Sequence, residues 1–76
     1  MKELDHILFR IVTIRKVKGY SQADVAEKLG IERSTYARKE TGHIPLTLND
    51  LLLIMQVLDI RPEALFRSDY QSNRKP

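Results

Sequence analysis

The chain contains no cysteine, which excludes a disulfide framework and any zinc site built on thiolates. It has two histidines, His6 and His43, with no carboxylate pair at ligand spacing beside them, so no metal centre is expected. No Ser, His and Asp set points to a nucleophile, and there is no G-x-x-x-x-G-K loop to cradle phosphates. Neither an enzyme nor a bound cofactor is expected. Long apolar runs are missing too. The longest, Leu51-Leu52-Leu53-Ile54-Met55, falls well short of the roughly 18–20 residues that span a membrane. The chain opens on Lys2, Glu3, Asp5 and His6, not on the basic, apolar and small sequence of a secretory signal. These absences fit a cytoplasmic or nuclear setting better than a secreted one.

What is present fits one small domain. Seventy-six residues, 42% of them apolar, can fold as a globule with a modest core. The net charge of +3 is mild and by itself identifies no partner. Its placement says more, because the excess sits early, in Arg10, Arg15, Lys16 and Lys18. A second basic group, Arg33, Arg38 and Lys39, lies in an otherwise neutral stretch. Brought onto one face, these groups would suit a phosphate backbone. Left apart, they are ordinary solvated helix surface.

Hydrophobic periodicity predicts five helices and no strand. The first runs from about Lys2 to Lys18, with Leu4, Ile7, Leu8, Ile11, Ile14 and Val17 at helical spacing and Phe9 and Val12 widening the apolar face. Gly19 ends it. Ser21 is a good N-cap for the second, with Asp24 three residues on, close to a capping box. That helix buries Val25, Ala26 and Leu29, and Gly30 ends it. The third runs from about Glu32 to Thr41 and stops at Gly42. Thr47 caps a fourth, with Asp50 three residues on, and Leu48, Leu51, Leu52, Met55 and Leu58 are its expected buried face. Pro62 opens a short fifth helix, with Leu65 and Phe66 turned inward. A domain over residues 1–67 and a polar, frayed tail over 68–76 complete the expected organisation.

The informative stretch is 19–42, GYSQADVAEKLGIERSTYARKETG. Two short helices meet at a tight turn on Gly30, where glycine takes positive φ cheaply. Ala26 faces the crossing, and its small side chain lets the backbones approach. Leu29, Ile31 and Tyr36 fill the space beneath. Glu32, Arg33, Ser34, Ala37, Arg38 and Thr41 remain outward on the third helix. Short side chains between two arginines form a face that can lie close to a surface and hydrogen-bond to it, as major-groove reading requires.

The chain resembles the Cro/C1-type, or xenobiotic-response-element-like, helix-turn-helix domain, and so an all-α, compact five-helix lambda-repressor-like fold. With Gln22 as the first residue of the motif, Ala26, Gly30 and Tyr36 fall on the family's small, glycine and apolar positions. Ile11, Ile14 and Arg15 resemble its first helix, and Leu48, Leu51, Leu52, Ile54 and Leu58 its fourth. The resemblance covers roughly residues 7–66 and places the motif at 22–41, with the recognition helix at 32–41. It implies that Gln22, Arg33, Ser34 and Arg38 reach DNA bases, Gln22 alternatively a phosphate. Ser21, Thr35, Thr41 and the backbone at Gly42 and His43 would hold phosphates, with Lys18 and Lys39 adding charge. It also implies that Arg15 and Glu40 pair across the first and third helices, a brace worth about 0–1 kcal/mol on a surface and more if partly buried.

Some positions depart from the family pattern. Lys39 stands where the family is usually apolar, so its stem is expected to pack while the ammonium snorkels out. Glu32 near the groove would repel phosphates, though a carboxylate can accept from cytosine N4; its expected job is charge at the helix N-terminus, and Arg61 is a poor N-cap. Leu46, Leu53 and Val57 lie off the main stripe and form a candidate dimer seam, unless the fifth helix and the N-terminal extension cover them. The resemblance implies a regulator that binds double-stranded DNA, represses by occupying a promoter and acts as a homodimer. The alternatives are the antitoxin of a toxin–antitoxin pair, with a toxin as partner, and a protein-interaction module that kept the fold without reading DNA.

Overall fold

The structure, a computed structural model, describes residues 2–67, with side chains from residue 4. The expected tail at 68–76 lies outside the described residues. Five helices follow one another: α1 Lys2–Val17, α2 Gln22–Leu29, α3 Arg33–Thr41, α4 Leu48–Leu58 and α5 Pro62–Phe66. No strand occurs among the described residues. The all-α, five-helix lambda-repressor-like fold expected from the sequence is the fold observed.

Local chemistry accounts for the helix ends. Ser21 and Thr47 each complete a capping box, with Asp24 and Asp50 returning a hydrogen bond to the cap backbone. At the end of α2, Gly30 takes φ 75°. Its N–H donates to the Glu27 carbonyl (3.1 Å), and the next N–H, of Ile31, donates back to Ala26 (3.0 Å). This Schellman pairing satisfies carbonyls that the helix leaves open. Asp59 ends α4 in the same way, with its N–H on Gln56 and that of Ile60 on Met55, but at φ 55° without glycine's freedom. Glu32 and Arg61 cap α3 and α5 by backbone position only, and neither side chain makes a cap hydrogen bond. Pro62 stands in the first turn of α5, as expected.

The core gathers Ile11, Val25, Ala26, Tyr36, Ile54, Leu58, Ile60 and Leu65. α2 lies at its centre, packed on α3 and α4, while α1 packs on α3 and α5. α4 differs from expectation. Its buried stripe runs through Ile54 and Leu58, with Leu51 partly covered, and Leu48 (72% exposed) and Leu52 (50%) turn outward. The five consecutive apolar residues at 51–55 carry no helical phase, so only the packing against α2 chooses the inner face. Leu4, Phe9 and Val17 are likewise exposed on α1. On α5 only Leu65 points inward and Phe66 is exposed. A single turn of helix can bury one side, and Phe66 stands about 100° round from Leu65.

Candidate nucleic-acid interface

α3 has two contrasting sides. Tyr36 and Glu40, four residues apart, are buried, and Arg33, Ser34, Arg38 and Thr41 are exposed. The buried side holds a polar network. Arg15 and Glu40 are only 6% and 8% exposed and pair through two bonds. Arg15 Nε donates to Glu40 Oε2 at 2.6 Å, and Nη2 donates to Oε1 at 3.1 Å. Arg15 Nη1 donates to the Tyr20 carbonyl (2.9 Å), which ties the end of α1 to the entry of α2. Gln22 Nε2 adds a third donor to Glu40 Oε1 at 3.0 Å. Burial alone would raise the Glu40 carboxyl, but the donors outweigh it and hold it below the usual carboxylate range. The bond to Glu40 raises Arg15 in turn, against the opposing pull of burial. The Tyr36 hydroxyl is buried in the same group, outside hydrogen-bonding geometry. Burial first, and then the Glu40 charge, push it far above its ordinary value, so it stays protonated.

The exposed side is different. The side chains of Arg33, Ser34 and Arg38 are exposed and make no hydrogen bond or ion pair among the described residues. Ala37, partly buried between them, keeps the face low. Over nine residues, α3 is about 13.5 Å long, and the diameter of a helix with its side chains, about 10–12 Å, fits a major groove about 12 Å wide. Beyond Arg38 a shallow hollow is lined by Ala37, Arg38, Thr41, His43 and Ile44.

The other expected contact residues divide. Ser21 is exposed, but its hydroxyl accepts from the Asp24 N–H (3.0 Å) as the α2 cap. Thr35 is partly buried, and Gly42 and His43 are exposed at the end of α3. Thr41 donates to the Arg38 carbonyl (3.2 Å), and its oxygen lies 2.8 Å from His43 Nδ1. Gln22 has its amide nitrogen on Glu40, which leaves its amide oxygen for a ligand.

Three cations are engaged by partners within the chain. Lys39 does not snorkel to solvent. Its ammonium meets Asp50 Oδ2 at 2.7 Å and its side chain is 13% exposed, because a carboxylate waits at the start of α4. Asp50 is held below the usual range, chiefly by that bond. Lys18 Nζ donates to the Asp59 carbonyl at 3.1 Å. Arg10 Nη1 donates to the carbonyls of Leu65 (3.0 Å) and Arg67 at the end of α5, where a cation suits the helix dipole. The early charge excess is thus largely committed to holding helices together. The sequence carries a hint of this at Lys39 alone, a lysine where an apolar residue is usual. The candidate seam splits as well. Leu46 and Val57 pack partly against the chain's own core, whereas Leu53 joins Leu48 and Leu52 on the outer face of α4. Among the described residues no group of three or more His, Cys, Asp or Glu side chains could hold a metal ion. No helix among them is long and apolar enough to cross a membrane.

Two short helices crossing at a left-handed glycine, the second braced from beneath and free on its outer face, define a helix-turn-helix. Residues 11–65 match the family model described as helix-turn-helix, and the chain belongs to that family, as a Cro/C1-type DNA-binding domain. Among curated proteins it is 32% identical over 69 residues to the HTH-type transcriptional regulator AnsR of Bacillus subtilis (strain 168). That match takes in 91% of this chain and 60% of AnsR, so the chain spans about three fifths of that relative's length. No solved structure gives a significant match.

Proposed function

We propose that this protein binds double-stranded DNA sequence-specifically with α3 in the major groove and regulates transcription by occupying a promoter. The observation that carries this is the exposed face of α3. The side chains of Arg33, Ser34 and Arg38 have no partner among the described residues, on a helix fixed by the buried Arg15–Glu40 pair. Arginine suits guanine O6 and N7, and a serine between two arginines suits any base edge. Thr35 and the exposed backbone at Gly42 and His43 would sit against phosphates, and the free amide oxygen of Gln22 against a donor at the groove edge. Lys39 is left out of this contact set, because its ammonium is held by Asp50, and so is Lys18, whose exposed ammonium already sits on the Asp59 carbonyl.

The outer side of α4 supports a homodimer, since three large apolar side chains, Leu48, Leu52 and Leu53, are exposed on one helix and exposed apolar surface marks association. Two copies would present their α3 helices to half-sites about 34–36 Å apart.

The test is selection of bound duplexes from a random pool, followed by affinity against salt. A recovered consensus and a steep fall of affinity with salt are expected, because each phosphate contact releases counterions. A two-fold symmetric consensus reports the dimer. No enrichment, or affinity flat in salt, would overturn DNA binding. Enrichment with a co-purifying toxin would replace a lone regulator with an antitoxin.

A further inference from the structure

α3 packs chiefly on α1 and α2, while α4 packs chiefly on α2. The C-terminal half of α3 and the start of α4 are joined in sequence only by residues 42–47. Across that gap runs the bond from Lys39 Nζ to Asp50 Oδ2, 2.7 Å long, with side chains only 13% and 23% exposed. The same Oδ2 accepts the Thr47 N–H at 3.0 Å, while the Asp50 N–H donates to Thr47 Oγ1 at 2.9 Å. One carboxylate oxygen therefore both caps α4 and holds α3. Lys39 follows Arg38 directly in the chain, so whatever fixes Lys39 bears on the pose of that arginine.

We propose that Lys39 serves DNA recognition as a positioning residue acting through Asp50: the pair sets the pose of the C-terminal half of α3, and with it Arg38, against the cap of α4, and Lys39 touches no phosphate. The proposal rests on α3 being the reading helix. The two ideas make separable claims. DNA reading requires that the wild-type protein prefer one duplex. The positioning role concerns what happens to that preference when a net-neutral pair is removed.

Asp50→Asn gives the sharpest contrast, because an asparagine at this position can still accept from the Thr47 N–H. If Lys39 positions α3, loss of the carboxylate lowers the ratio of affinities for the selected and a random duplex by about 2- to 30-fold. If instead Lys39 is available to phosphates, removing its acidic partner strengthens binding to every duplex and leaves the ratio unchanged, which would overturn the proposal.

The double variant Lys39→Met/Asp50→Asn leaves the net charge as it was. Positioning predicts the same fall in ratio, with no change in the slope of log affinity on log salt. A slope reduced by about 0.9, the loss of one phosphate contact, would overturn it, as would a wild-type ratio in a variant with altered thermal stability. Lys39→Arg, which keeps a cation within reach of Asp50, should restore most of the ratio. Equal wild-type affinity for all duplexes would strike the DNA-reading function itself, before any variant is made.

Discussion

The two sides of α3 use charge in opposite ways. On the inner side Glu40 receives three hydrogen bonds, two from Arg15 and one from Gln22. On the outer side Arg33 and Arg38 stand in solvent with no internal partner. An ionised group can be buried only when its bonding capacity is met, so the inner charges fix one pose of the helix. The outer arginines, with their five donors each, are free to bond to something else. A helix presented in one pose with uncommitted donors is what base reading needs, and neither side alone would provide it.

The largest test of this contrast breaks the inner side. Arg15→Met leaves Glu40 buried with one remaining donor, Gln22, and should cost about 3–5 kcal/mol of folding stability by urea denaturation. The double variant Arg15→Met/Glu40→Leu should recover much of that loss, because no charge is then stranded. If the single variant costs under about 1 kcal/mol, the pair behaves as a surface bridge and the brace is not a brace. Changes on the outer side should do the reverse. Arg33→Ala or Arg38→Ala should cost about 1–3 kcal/mol of binding on the selected duplex and relax one base position, with the melting temperature unchanged. An equal loss on every duplex would make that arginine a phosphate contact.

Acid titration sharpens the inner side further. Glu40 lies below its ordinary value in the folded protein, so the unfolded chain takes up its proton first. Its contribution to stability is complete above the unfolded carboxyl value of about 4.3 and drains away as pH falls through the lower folded value. Asp50 and Asp24 shift in the same direction, through Lys39 and Ser21 respectively. Melting temperature should therefore fall below about pH 4.3, and Glu40→Gln should flatten part of that fall. The smallest expected effect lies away from α3. Asp59→Gly at φ 55° should stabilise the fold by about 0.5–1 kcal/mol and leave the ratio of affinities for selected and random duplexes unaltered, since the bonds of Asp59 run to Gln56 and Lys18 and none to α3.

Much of the fold was legible in the residues because its signals are local. Ser21 with Asp24 and Thr47 with Asp50 announce capping boxes within four residues, and Gly30 announces a left-handed end. The outward set Arg33, Ser34 and Arg38 followed from the register of a helix whose inner positions are Tyr36 and Glu40. The inner face of α4 was harder to read. Five apolar residues in a row offer several equivalent stripes, and the packing turns Leu48 and Leu52 outward where periodicity points them inward. Phe66 turns outward for a similar reason, since apolar character alone does not give direction on a one-turn helix.

The cations mark the limit most clearly. The partner of Lys39 lies 11 residues away, that of Lys18 lies 41 away, and Arg10 reaches carbonyls 55 and 57 away. A sequence fixes caps, glycine turns and helix register because those depend on neighbours a few bonds apart. It contains every charge but not the distances between them. Which basic residues fasten the helices, and which remain on α3 to meet an external partner, was decided only when the five helices packed, because Coulomb and hydrogen-bond energies act over distances in space and take no account of separation along the chain.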